Sequence, residues 1–132
     1  MFARIKNKLF TLLILLPGIM FLVTGLRWLV DPALAASVVM MPLLVDGVGL
    51  SSQIGDIGGL FLAMGLMILF ALTSGNGEWL KPVALLLTCI AFYRLVAFFV
   101  HAADLVPQMI VIELGLAAWL YFAAGKLIKK VR

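Results

Sequence analysis

Four charged residues lie inside strongly apolar stretches of the sequence, and they are the first candidates for chemistry. They are two cations and two carboxylates: Arg27, Asp56, Arg94 and Glu113. A charged side chain within the hydrocarbon of a membrane costs about 2.5–3.5 kcal/mol on insertion scales, so each one needs a partner or a role. We expect structural ion pairs, Arg94 with Glu113 and Arg27 with Asp56, that fix the register of neighbouring helices.

A polar pocket is the competing interpretation of the same charges, with His101 as a fifth member. Such a pocket would take a lipid headgroup, a quinone or a small metabolite. A proton or ion path is less favoured, because it would have to continue through the inner halves of these stretches, where the polar residues are only threonines. They are Thr11, Thr73 and Thr88. His101 also fits a plain helix-end residue, whose partial charge suits the helix dipole.

No reaction can be named from these residues, since only His101 and the carboxylates could carry acid–base chemistry. The chain has one histidine and one cysteine, Cys89, which is short of the usual ligand sets for a bound metal. We therefore expect a non-enzymatic protein without a metal or another cofactor.

The elements that position the charges follow from length and composition. Of 132 residues, 65% are hydrophobic and 12% are charged, whereas soluble domains carry roughly 25% charged residues. This balance excludes a set of soluble domains and a secreted disulfide scaffold. At about 20 apolar residues per span, the chain has room for four spans with short loops. We predict spans at about 9–30, 54–73, 82–101 and 107–127, forming one all-α domain, an up-down four-helix membrane bundle.

The segment 32–53, between the first two spans, is apolar but broken by proline, aspartate and glycines. Its apolar part, 33–45, is too short to cross a membrane, so we predict an interfacial or re-entrant element. An even number of spans puts both termini on one side. Basic residues flank the spans at both ends, and the positive-inside rule then places both termini in the cytoplasm. These residues are Arg4, Lys6, Lys8, Lys126, Lys129, Lys130 and Arg132.

Small residues recur at every fourth position of the second span, at Gly55, Gly59 and Ala63. This spacing lets a neighbouring backbone approach closely, so we predict a tight helix contact there, with Asp56 directed toward it. Three aromatic residues near the predicted membrane boundaries are interpreted as interfacial anchors. They are Trp28, Trp79 and Tyr121.

Short motifs in all four spans resemble known membrane protein families. Residues 25–28 (Gly-Leu-Arg-Trp) with Asp-Pro at 31–32, and residues 58–66 (GGLFLAMGL), resemble small bacterial DoxX-like proteins. Tyr-Arg-Leu at 93–95 and Glu-Leu at 113–114 are similar to a related family of unknown function. The resemblance covers nearly the whole chain. It implies a four-helix bundle in the bacterial inner membrane, in families whose members are linked to quinone or redox partners.

Together these patterns favour a small accessory or interaction subunit that contacts membrane lipid and packs against another membrane protein or a second copy. The alternative is a protein that binds a lipid or quinone-like molecule in the outer half of the bundle. Its pocket would be lined by Arg27, Asp56, Arg94, His101 and Glu113. Nucleic acid is excluded as a partner, because the basic residues are not interleaved with aromatic residues on a soluble surface.

Overall fold

A computed structural model describes residues 2–131, and it describes side chains for residues 7–127. Over residues 2–131 the chain is all-α, which confirms the predicted fold class. Within the part of the chain that the structure describes, four helices are long and apolar enough to cross a membrane: Asn7–Val30, Gly47–Ser74, Gly77–His101 and Pro107–Leu127. Most of the predicted basic flanks lie outside the described side chains. These are Arg4, Lys6, Lys129, Lys130 and Arg132.

The helices are α1 (Phe2–Val30), α2 (Pro32–Val38), α3 (Gly47–Ser52), a π-helical segment (Gln53–Gly58), α4 (Gly59–Ser74), a 3₁₀ turn (Gly77–Trp79), α5 (Leu80–His101) and α6 (Pro107–Val131). The second span begins earlier than predicted, because α3, the π-helical segment and α4 form one continuous helical run. The chain divides into two compact units, of which the first ends at Leu69 and the second begins at Phe70. That the whole chain forms a single domain stays a prediction.

In the first unit, α1 and α4 pack through glycines at very short range. A Cβ added at Gly25 would lie 2.6 Å from the backbone nitrogen of Leu62, and one added at Gly65 would lie 2.8 Å from that of Leu22. These are distances that a real side chain does not adopt, so only glycine fits. Because the two pairs run in opposite order along the chain, α1 and α4 are antiparallel.

The predicted small-residue contact is wrong for this helix pair. A Cβ added at Gly55 or Gly59 would have nothing within 4 Å, and Ala63 is exposed. The residue that meets α1 is Gly58, where an added Cβ would lie 2.7 Å from the Cβ of Trp28. One residue along a helix is about 100° around its axis, so the expected stripe lies on a different face of the same helix.

The segment between α2 and α3 is tied to the second span by one buried amide, Gln53. Its Oε1 accepts a hydrogen bond from the backbone nitrogen of Leu44 at 2.8 Å. Its Nε2 donates to the carbonyl of Pro42 at 3.0 Å. Backbone groups without a partner are costly in an apolar environment, so these bonds let a non-helical segment fold back here. As predicted, α2 is too short to span, since it has seven residues.

Beneath this segment lies Trp28, which the structure buries completely. It packs against Ala35 and Ala36 of α2, and several half-buried apolar side chains surround the three. Its interpretation as an interfacial anchor is therefore wrong: Trp28 is a core residue of the first unit. Trp79 and Tyr121, at 42% and 65% exposure, keep the exposure that an anchor requires.

The second unit is a hairpin of α5 and α6. Buried residues recur every three or four positions along α5 and form one buried stripe: Leu80, Val83, Ala84, Leu87 and Ala91. At one end of the hairpin, a Cβ added at Gly77 would collide with the carbonyl of Ala124. At the other end, α5 stops where Ala102 adopts a left-handed conformation with φ of 54°. Because Gly77 meets Ala124 and Arg94 meets Glu113, the two helices are antiparallel.

Candidate functional site

An ion pair between α5 and α6 is the most buried charged group within residues 7–127. The Nε of Arg94 lies 2.9 Å from Oε1 and 3.1 Å from Oε2 of Glu113. The side chain of Glu113 is 13% exposed and that of Arg94 is 33% exposed. The predicted pair is therefore present, and it arises because a short link makes α5 and α6 antiparallel neighbours with these residues at one level.

The pairing uses only part of the arginine side chain. The terminal nitrogens Nη1 and Nη2 have no hydrogen-bond acceptor among residues 7–127. Beside Arg94 one face of α5 forms a shallow depression that is open over most of its extent. We call it the α5 groove, lined by Cys89, Ile90, Tyr93, Arg94 and Ala97. Glu113 thus fixes the guanidinium and neutralises its charge, while several N–H donors stay available beside the groove.

The predicted pair of Arg27 with Asp56 is wrong. Both side chains are exposed, and the structure shows no ion pair for either within residues 7–127. A similar depth in two neighbouring spans does not bring two side chains together, because it leaves the rotation around each helix axis open. Trp28 on α1 and Gly58 on the second span face each other, so Arg27 and Asp56 lie away from that contact.

His101 is exposed and ends α5, where its position agrees with a helix-end residue. Within the second unit the structure brings Arg94 and Glu113 together, and the pocket of five residues stays a prediction. Within the described residues, no group of three His, Cys, Asp or Glu side chains is placed to hold a metal ion.

A second candidate site is a face of the second span that we call the Asp56 face, made of Gly55, Asp56, Gly59 and Ala63. Asp56 lies in the π-helical segment, and the two glycines beside it have no neighbour within 4 Å of an added Cβ. Insertions of this kind in helices are frequent at functional sites. An exposed carboxylate on a smooth backbone surface can receive a cation and a closely approaching helix.

Sequence reasoning missed Gln53 and the unpaired donor of Trp28. The Nε1 of Trp28 is buried and has no hydrogen-bond partner among the described residues. For Gln53 a signal existed: it is an amide at the start of an apolar span, directly after a segment whose backbone is broken by proline and glycine.

Comparisons with protein-family models, with curated proteins and with solved structures give no match. The DoxX-like resemblance therefore stays a prediction based on short motifs.

Proposed function

We propose that this protein is a small non-enzymatic accessory subunit that binds another membrane protein through its Asp56 face. The observation that supports this is Asp56 itself, an exposed carboxylate with no ion pair within residues 7–127, in a helix apolar enough to span a membrane. Left unpaired at membrane depth, such a charge costs about 2.5–3.5 kcal/mol. A bound partner that supplies a cation removes this cost.

The chemistry of the face defines the partner as a transmembrane helix with a lysine or arginine at the depth of Asp56. Gly55 and Gly59 leave room for its backbone, because an added Cβ at either position would meet nothing within 4 Å. Within the chain, Arg94 is already neutralised by Glu113. Arg27 of a second copy could also supply the cation for Asp56. A test must therefore distinguish a partner protein from self-association.

The setting we propose is the bacterial inner membrane, with both termini in the cytoplasm. Four apolar helices support a multi-pass membrane protein. Basic residues at both ends of the sequence support cytoplasmic termini by the positive-inside rule. The DoxX-like motifs support the bacterial location.

Gly59→Leu tests the proposal, because a leucine there covers the Asp56 face without touching the α1 contact. Gly115→Leu is the matched control, since an added Cβ at Gly115 also meets nothing within 4 Å. We expect wild type and the control to copurify in mild detergent with one stoichiometric protein, and Gly59→Leu to lose it while its unfolding temperature stays unchanged. Asp56→Lys should also lose the partner, and changing the partner's basic residue to aspartate should restore binding.

Two results would contradict the proposal. One is a partner retained at full stoichiometry by both Gly59→Leu and Asp56→Lys. The other is a native mass spectrum in which the only protein bound through this face is a second copy of the chain.

A second candidate function is the binding of a lipid or quinone-like molecule. The observation that favours it is the free terminal nitrogens of Arg94 beside the α5 groove. This site is on another helix than the Asp56 face, so the two functions are separable by mutation.

A further inference from the structure

We infer that the α5 groove binds an apolar molecule through an uncharged carbonyl oxygen, which accepts hydrogen bonds from the terminal nitrogens of Arg94. The inference rests on the second candidate function, binding of a small molecule, and it names the chemical class of that molecule.

The first support is the number of donors left on Arg94. A guanidinium has five N–H donors in a rigid fork, and the pair with Glu113 uses only the one on Nε. The others have no acceptor within residues 7–127, in a side chain that is 33% exposed. Donors left without an acceptor in apolar surroundings are costly, so the groove favours a molecule that brings an oxygen acceptor.

The second support is the charge of the site. Glu113 compensates the guanidinium at 2.9 Å and is itself only 13% exposed. An anion entering the groove would therefore add a negative charge that nothing nearby balances, at a large desolvation cost. A carbonyl oxygen accepts the same hydrogen bonds without adding a charge. The pair with Glu113 thus selects against phosphates and carboxylates.

The third support is depth. Arg94 precedes the last residue of α5, His101, by seven positions, which is about 10 Å of helix rise. Phosphates of bilayer lipids lie outside the hydrocarbon core, so they sit above this level. Two sources carry an uncharged carbonyl below the level of the phosphates: the ester of a glycerolipid, or a freely diffusing apolar ketone such as a quinone. Ile90 and Ala97 of the groove offer apolar contacts for the rest of either molecule.

Cys89 provides a built-in reporter, because it lines the groove, is exposed and is the only cysteine of the chain. The experiment measures the rate at which N-ethylmaleimide alkylates Cys89 in delipidated full-length protein in detergent micelles. Four probes are added separately: 2-tridecanone, its carbonyl-free match tridecane, dioctanoylglycerol and dioctanoyl phosphatidic acid. The variants are Arg94→Lys, which keeps a cation for Glu113 but loses the terminal fork, and the matched control Arg27→Lys.

We expect 2-tridecanone or dioctanoylglycerol to slow alkylation in wild type and in Arg27→Lys. The probe that protects at the lower concentration shows whether the carbonyl comes from a free ketone or from a lipid ester. Arg94→Lys should raise the half-protecting concentration about tenfold, the usual effect of losing hydrogen bonds to a charged donor. A second measurement needs no variant: the ¹⁵N signals of the Arg94 terminal nitrogens should shift on addition of the effective probe, and those of Arg27 should not.

Equal protection by tridecane and 2-tridecanone, or unchanged protection in Arg94→Lys together with unshifted ¹⁵N signals, would overturn the carbonyl inference. Stronger protection by phosphatidic acid that depends on Arg94 would also overturn it, while small-molecule binding would stand. If none of the four probes protects Cys89, both the carbonyl inference and the binding of a small molecule at this site would be contradicted.

Discussion

The ion pair of Arg94 and Glu113 can be broken by replacing either residue, and we expect the loss of Arg94 to destabilise the second unit more than the loss of Glu113. Removal of one partner from a buried pair costs about 3–5 kcal/mol. Arg94→Leu leaves the carboxylate of Glu113, which is 13% exposed, so we expect a loss of about 3–4 kcal/mol. Glu113→Leu leaves an arginine that is 33% exposed and can extend its charged end toward water, so we expect about 1–2 kcal/mol.

The double variant should recover most of this loss, because two leucines leave no charge without a partner. We expect it within about 1 kcal/mol of wild type, which corresponds to a coupling energy of at least about 3 kcal/mol. The assay is the free energy of unfolding of the purified protein in mixed micelles, titrated with dodecyl sulfate and followed by circular dichroism.

Glu78 and Lys81 provide a matched control cycle. Their N–O distance is also 2.9 Å, but their side chains are 55% and 43% exposed. Exposed pairs contribute about 0–1 kcal/mol, so the same double cycle with alanine should show almost no coupling. Additive losses at Arg94 and Glu113, with a coupling below about 0.5 kcal/mol, would refute the reasoning that burial makes this pair structural.

Three further predictions follow from the packing. Gly58→Leu should lower the unfolding temperature strongly, because its Cβ meets Trp28 at 2.7 Å; Gly59→Leu should not, and equal effects would contradict the assigned contact face. Gln53→Leu should cost about 1–3 kcal/mol by leaving two backbone groups without partners, measured by dodecyl sulfate titration, and an unchanged free energy would show that the segment does not need this amide. In a cysteine-free background, cysteines at Ser51 and Ala103 should react with an impermeant thiol reagent on intact cells and cysteines at both termini should not; labelling of only one terminus would mean an odd number of spans.

The sequence alone was sufficient for the spans and for one ion pair. Apolar runs of about 20 residues define spans by a physical length, and the structure has a long helix at each of the four, although the second begins at Gly47 and not near residue 54. Arg94 and Glu113 were placed together because a short link forces their helices to be antiparallel, and rise per residue then fixes the depth of each charge. Once the sequence shows where a helix begins and ends, the rise per residue gives the depth of every side chain along it.

The sequence did not predict the rotation of each helix around its own axis, and so did not predict which face meets a neighbouring helix. Arg27 and Asp56 each lie near one end of a predicted span, yet the structure shows no ion pair between them. Helices that are apolar on every side carry no pattern that tells which face meets a neighbour, and this is also why Gly58 was passed over for Gly59. The π-helical segment Gln53–Gly58 adds a local change in rotation, which the apolar pattern of the sequence does not indicate.

The most direct test of the central claim is crosslinking in the membrane of living cells. A photoreactive amino acid replaces Ala63 on the Asp56 face, or Val111, which is 69% exposed on α6, as the matched control. The proposed function predicts that the Ala63 position crosslinks to one other membrane protein, that Asp56→Asn removes this product, and that the Val111 position does not form it. Crosslinks from Ala63 only to lipid or to a second copy of the chain would contradict the proposal that this face binds a partner protein.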